Sequence, residues 1–129
     1  MNYTKQEQKI LNGLDGWIED NKSAMIGDIK ALVAVPSVAA RGKKGQPFGL
    51  QCARVVDEAD RIIRKAGLKS KNWDYYGVSA EVPGKKKQAI GFFSHLDVVP
   101  PGDGWTGDPF IAAENKGWII GRGVSDNKG

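Results

Sequence analysis

The residues best suited to chemistry fall in two short stretches. The only histidine, His95, lies in Ser94-His95-Leu96-Asp97-Val98-Val99-Pro100, directly after the apolar run Ala89-Ile90-Gly91-Phe92-Phe93. If that run is a strand that continues through the histidine, His95 and Asp97 share one face, because side chains alternate with period two. A carboxylate two residues from an imidazole can hold the ring and select its tautomer, the support that a metal-ligating histidine needs. The same tripeptide also suits a structural histidine hydrogen-bonded at a strand end.

The second stretch is Gly121-Arg122-Gly123-Val124-Ser125-Asp126-Asn127-Lys128-Gly129. Gly-x-Gly after a strand invites a dinucleotide reading, but Asp126 occupies the place of the third small residue, and no later acidic residue could meet a ribose. Lys128 lacks the spacing and the following Ser or Thr of a phosphate-binding loop. Asp103 to Asp108 lacks the oxygen ladder and terminal Glu of a calcium loop. An aspartate among glycines at a strand exit can ligate a cation or close an Asx-turn.

Several elements must position these stretches. Ile10, Leu14, Trp17 and Ile18 mark one face of a first helix, which Gly13 and Gly16 each weaken by roughly 1 kcal/mol relative to Ala. Ser23 reads as the N-cap of a second helix carrying Met25, Ile26, Ile29, Leu32 and Val33 inward, ended by Pro36. From Leu50 a third helix turns Ala53, Val56, Ala59, Ile63 and Ala66 to one side and stops at Gly67. Val78 to Val82 alternates like a half-buried strand, whereas Ala89 to Phe93 is continuously apolar, as in a strand covered on both faces. Phe110 to Ala113 and Trp118 to Ile120, about the turn Asn115-Lys116-Gly117, form a hairpin pattern. Helices followed by strands, one of them buried on both sides, predict a layered α/β domain. Ligands in such folds bind at strand C-termini, where His95 stands.

Composition narrows the function classes. The chain has 129 residues, room for one ordinary domain, and its 26% charged and 40% hydrophobic content is globular. The net charge of +4 is uneven: residues 41–90 carry twelve basic and five acidic side chains. Lys43, Lys44 and Lys85-Lys86-Lys87 sit beside Gly and Pro, without the interleaved aromatics of a nucleic-acid site, and read as solvated loops. One cysteine, Cys52, excludes an internal disulfide and falls on a helix face as a small core residue. The polar start Met1-Asn2-Tyr3-Thr4-Lys5-Gln6 has no signal-peptide character, and no apolar run is long enough for a membrane span. A cytoplasmic protein without nucleic-acid or membrane partners is the expectation.

Together the segments are more specific than apart. His95 to Trp105, Asp108-Pro109-Phe110 and Gly121 to Gly129 follow in that order at compact spacing. This resembles the zinc-dependent peptidase and deacylase family of carnosinases, aminoacylases, succinyl-diaminopimelate desuccinylase and carboxypeptidase G, most nearly its bacterial branch of PepV-like dipeptidases. Val35-Pro36-Ser37-Val38, Pro47-Phe48-Gly49 and Asn72-Trp73-Asp74-Tyr75 look like that branch too, so the likeness spans residues 23–129.

The resemblance implies a dipeptidase, with an N-acyl amino acid deacylase or a non-catalytic binding module as alternatives. It implies a layered helix–sheet–helix catalytic domain of which residues 1–129 are the N-terminal portion. His95 matches a ligand to one zinc, Asp97 the catalytic-site carboxylate that orients that imidazole, and Asp126 the aspartate that bridges two zinc ions. The bond after Asp126 is expected to be cis. Two Zn2+ ions (Co2+ or Mn2+ as substitutes), a dipeptide or other small amide substrate, and a homodimer of the complete protein are implied as cofactor and partners. Two metal ions about 3.5–4 Å apart can polarise an amide carbonyl and acidify water together. In that family a later Glu-Glu pair, a further Asp and a distant His complete the site. None of these occurs here, so the chain alone is expected to bind metal weakly and to hydrolyse nothing.

Overall fold

The computed structural model describes residues 3–129; Met1 and Asn2, the first of the polar start, lie outside the described residues. Helix α1 runs from Lys5 to Val33. A capping box opens it: the Glu7 N–H donates to the Thr4 hydroxyl at 3.2 Å, and the Thr4 N–H donates to the Glu7 carboxylate at 2.7 Å. Two helices were expected here, with Ser23 as a cap, but α1 is continuous. Nothing between Ile18 and Met25 breaks it, and Asn21 turns its amide back to the Trp17 carbonyl at 2.8 Å instead of ending the helix. Ile10, Leu14, Trp17 and Ile18 are exposed, while Val33, at the other end, is fully buried.

Helix α2 spans Leu50–Lys65, as the periodicity predicts, and buries Cys52, Ala53, Val55, Val56 and Ala59. Gly67 follows its C-cap at φ 79°, the left-handed conformation that helix ends favour. Lys65 reaches across to Asp28 of α1 at 2.8 Å. Cys52 is a buried core residue, and burial pushes its thiol up, the opposite of what activates a nucleophile.

Two antiparallel hairpins complete the secondary structure. Strand β1 (Ser70–Asn72) pairs with β2 (Val78–Ala80), and β3 (Ala113–Asn115) pairs with β4 (Trp118–Ile120). Lys116 and Gly117, both at positive φ, make the tight β3–β4 turn that matches strand twist. The hairpin therefore stands where the turn signal put it, although its first strand begins at Ala113 rather than Phe110.

The protein is thus a mixed α/β chain of helices and small antiparallel sheets. The Ala89–Phe93 run forms no paired strand, and Ile90, Phe92 and Phe93 are exposed, contrary to the expectation of a strand covered on both faces. Its hydrophobicity suits a central strand, but a strand needs neighbours on both edges, and none of the described residues supplies them. The parallel contact that does form is one bridge between Val38 and Val98. No helix among the described residues is long and apolar enough to cross a membrane.

Candidate active site

Ser37, four positions past the end of α1, fixes the backbone around His95. The Ser37 hydroxyl donates to the Leu96 carbonyl at 2.6 Å, and the Val98 N–H donates to the Ser37 carbonyl at 3.1 Å. Ser37 is fully buried and Val98 nearly so, which anchors the His95–Asp97 segment to the exit of α1.

The glycine-rich segment folds back onto the same exit. Gly123 has φ 92°, and a Cβ there would stand 2.8 Å from Val98 Cγ1 and 3.1 Å from Lys128 Cδ, so only glycine fits. A wide turn over Val124–Lys128 follows, closed by the Lys128 N–H donating to the Gly123 carbonyl at 2.8 Å. The Asp126–Asn127 peptide bond is cis, as the resemblance implies.

These two anchored segments bring His95 and Asp126 together across 31 positions of sequence, with His95 Nε2 2.9 Å from Asp126 Oδ1. On the other side of the ring, His95 Nδ1 stands 3.1 Å from the Asp97 carbonyl oxygen and 3.5 Å from the Asp97 carboxylate. The Asp97 main chain is thus the nearer support of the imidazole, and its side chain stands behind. Both ring nitrogens face acceptors, so the doubly protonated imidazole is favoured. The backbone bond to Asp97 first, and then Asp126, hold the His95 pKa above its ordinary 6.5.

The surrounding groups had no individual signal in the sequence. The Ser94 hydroxyl donates to the Asn127 carbonyl at 2.9 Å and also meets the Asn127 side-chain oxygen, latching the neighbours of His95 and Asp126. Arg122 donates to the Pro101 carbonyl at 2.8 Å and lies over the Trp105 ring, holding the loop that follows Asp97. Lys128 is buried, and burial lowers its pKa to about 8. An open cleft of about 450 Å³ extends from His95 and Asp97 to Cys52, Val55 and Tyr76.

The donor chemistry suits zinc, which takes imidazole nitrogen and carboxylate oxygen. Ligands about 2.0–2.1 Å from a tetrahedral ion stand roughly 3.3 Å apart, so the 2.9 Å pair need open only slightly to admit one. Two donors could make at most part of a coordination sphere: among the described residues no group of three His, Cys, Asp or Glu side chains is gathered to hold a metal ion.

Comparison with known proteins gives the class first. Residues 91–129, which contain both His95 and Asp126, match Peptidase family M20/M25/M40, and the resemblance of the chain to these peptidases is real. The relatives are then specific. The chain is 36% identical to "Putative dipeptidase YtjP" of Bacillus subtilis (strain 168), over 84% of this chain and 24% of that protein. It is 32% identical to a Staphylococcus aureus (strain USA300) protein also named a putative dipeptidase, over 87% of this chain and 24% of the relative. The chain therefore spans about a quarter of the length of the curated relatives it matches.

Proposed function

We propose that the chain is part of the catalytic domain of a metal-dependent dipeptidase, and that His95 and Asp126 hold a divalent cation, Zn2+ in the first instance. The observation that carries this reading is the 2.9 Å approach of an imidazole nitrogen to a carboxylate oxygen, made by two segments that both pack on the exit of α1. The names of the relatives support a dipeptide as the substrate. A divalent cation held there supplies Lewis-acid polarisation of an amide carbonyl and acidification of water.

The chain's own groups prepare that chemistry. The Asp97 carbonyl accepts from His95 Nδ1–H, which leaves Nε2 with its lone pair directed toward Asp126 once the second proton is lost. The Asp97 carboxylate adds negative charge beside the ring. The cleft beside His95 and Asp97 has room for a small amide substrate.

The test is a chimera in which this chain replaces the matching segment of the Bacillus subtilis relative, loaded with zinc. Dipeptide hydrolysis that is lost on chelation, in His95→Ala and in Asp126→Ala is the expected result. Preference for N-acyl amino acids over dipeptides would replace the dipeptidase reading with a deacylase. Zinc binding without hydrolysis of either would leave a binding module.

A further inference from the structure

One buried cation joins the candidate site to the helix that carries it. Lys128 is 5% exposed, and its Nζ donates to the Leu32 carbonyl at 2.9 Å and the Val35 carbonyl at 2.8 Å. Leu32 lies in the last turn of α1 and Val35 just past it; besides Lys128, their carbonyls accept the Val35 N–H at 3.2 Å and the Ser37 N–H at 2.8 Å, respectively. The stem of Lys128 runs beside Gly123, where a Cβ would meet its Cδ at 3.1 Å, so the side chain occupies a fixed lane. Gly121 packs as tightly, with a would-be Cβ 3.1 Å from Val33 Cγ1. The segment around Asp126 is therefore strapped to α1 at a distance set by one lysine side chain. Ser37, two residues beyond Val35, straps the His95 segment to the same place.

We infer that Lys128 is a positioning residue: by bridging the Leu32 and Val35 carbonyls it sets where Asp126 stands relative to His95. A cation there neutralises the negative end of the helix dipole, and it also gives both halves of the site a common reference. Asp126 itself makes no side-chain hydrogen bond other than the one to His95 among the described contacts, so its place depends on the turn that Lys128 holds. The inference rests on reading His95 and Asp126 as one site, but it needs no metal.

The test uses the single histidine. With 15N-labelled imidazole and chelator present throughout, the His95 ring resonances of the 129-residue chain are compared with those of Asp126→Ala, which lacks the contact. Lys128→Met keeps the stem and removes the donors. It is expected to keep its helical circular dichroism while its His95 resonances move to the Asp126→Ala values. A folded Lys128→Met with wild-type His95 resonances overturns the inference. If Lys128→Met does not fold, Lys128→Arg decides, because it keeps charge and donors on a longer reach. Displaced His95 resonances then support the inference, and unchanged ones overturn it. A separate zinc titration of the wild-type chain tests the metal reading, so the two can fail independently.

Discussion

Ser94 and Asn127 are 33 positions apart and joined directly, the Ser94 hydroxyl donating to the Asn127 carbonyl at 2.9 Å. Each is the chain neighbour of one member of the His95–Asp126 pair, so this latch limits how far the pair can separate. The bond is exposed to solvent, and its loss should cost under about 1 kcal/mol of stability. Ser94→Ala should therefore melt close to wild type yet bind Zn2+ roughly tenfold more weakly. Calorimetric titration beside a thermal melt checks both, and unchanged affinity would show that the latch does not restrain the pair.

Metal binding by the chain should be weak and should depend on both members of the pair. His95→Ala and Asp126→Ala should each weaken Zn2+ binding by at least about tenfold, as loss of one ligand from a small donor set requires. Without metal and with it, the 129-residue chain should leave dipeptides intact. Dipeptide hydrolysis by the purified chain that disappears in His95→Ala would show that the described residues suffice for catalysis.

Stability rests on the α2 face together with Val33, the buried end of α1. Val55 is 1% exposed and Val82 is 74% exposed. Val55→Ala should destabilise the chain by about 2 kcal/mol, from lost burial and an unfilled space. Val82→Ala should stay within about 0.5 kcal/mol of wild type. Urea denaturation separates the two, and equal effects would mean that α2 is not the core.

One carboxylate gives the chain a pH dependence remote from the site. Asp60 accepts from Arg64 at 2.7 Å, and that bond, followed by the Ser70 hydroxyl, holds its carboxyl below the ordinary 3.8. A carboxyl depressed by folding stabilises the chain above its unfolded pKa and loses that contribution as pH falls through the folded value. Asp60→Asn should thus lower the urea midpoint at pH 7 and matter progressively less below about pH 4. A difference of the same size at pH 7 and pH 3 would refute the assignment.

Local order was largely legible in the residues. Helix α2 follows from its apolar period and the stop at Gly67, and the β3–β4 hairpin follows from Asn115-Lys116-Gly117, because both depend on neighbours a few positions away. The division of α1 at Ser23 failed for a related reason: a capping residue acts as a cap only if the chain before it leaves the helix, and the residues around Asn21 continue it. The two candidate motifs were also visible, as residue types in order, whereas the cis bond after Asp126 was implied only by their resemblance to a known family.

What the residues by themselves determined is therefore the helix-forming and hairpin-forming segments and the identity of His95, Asp97 and Asp126. Tertiary structure alone decided that His95 meets Asp126 at 2.9 Å, that the Asp97 carbonyl comes nearer the ring than its carboxylate, and that Ser37 and Lys128 hold both segments to α1. It also decided that Ala89–Phe93, apolar enough for a central strand, stays unpaired. The division has one physical cause. Helices and tight turns are closed by hydrogen bonds within a few residues, whereas strand pairing and side-chain convergence need partners whose separation along the chain carries no signal of their approach.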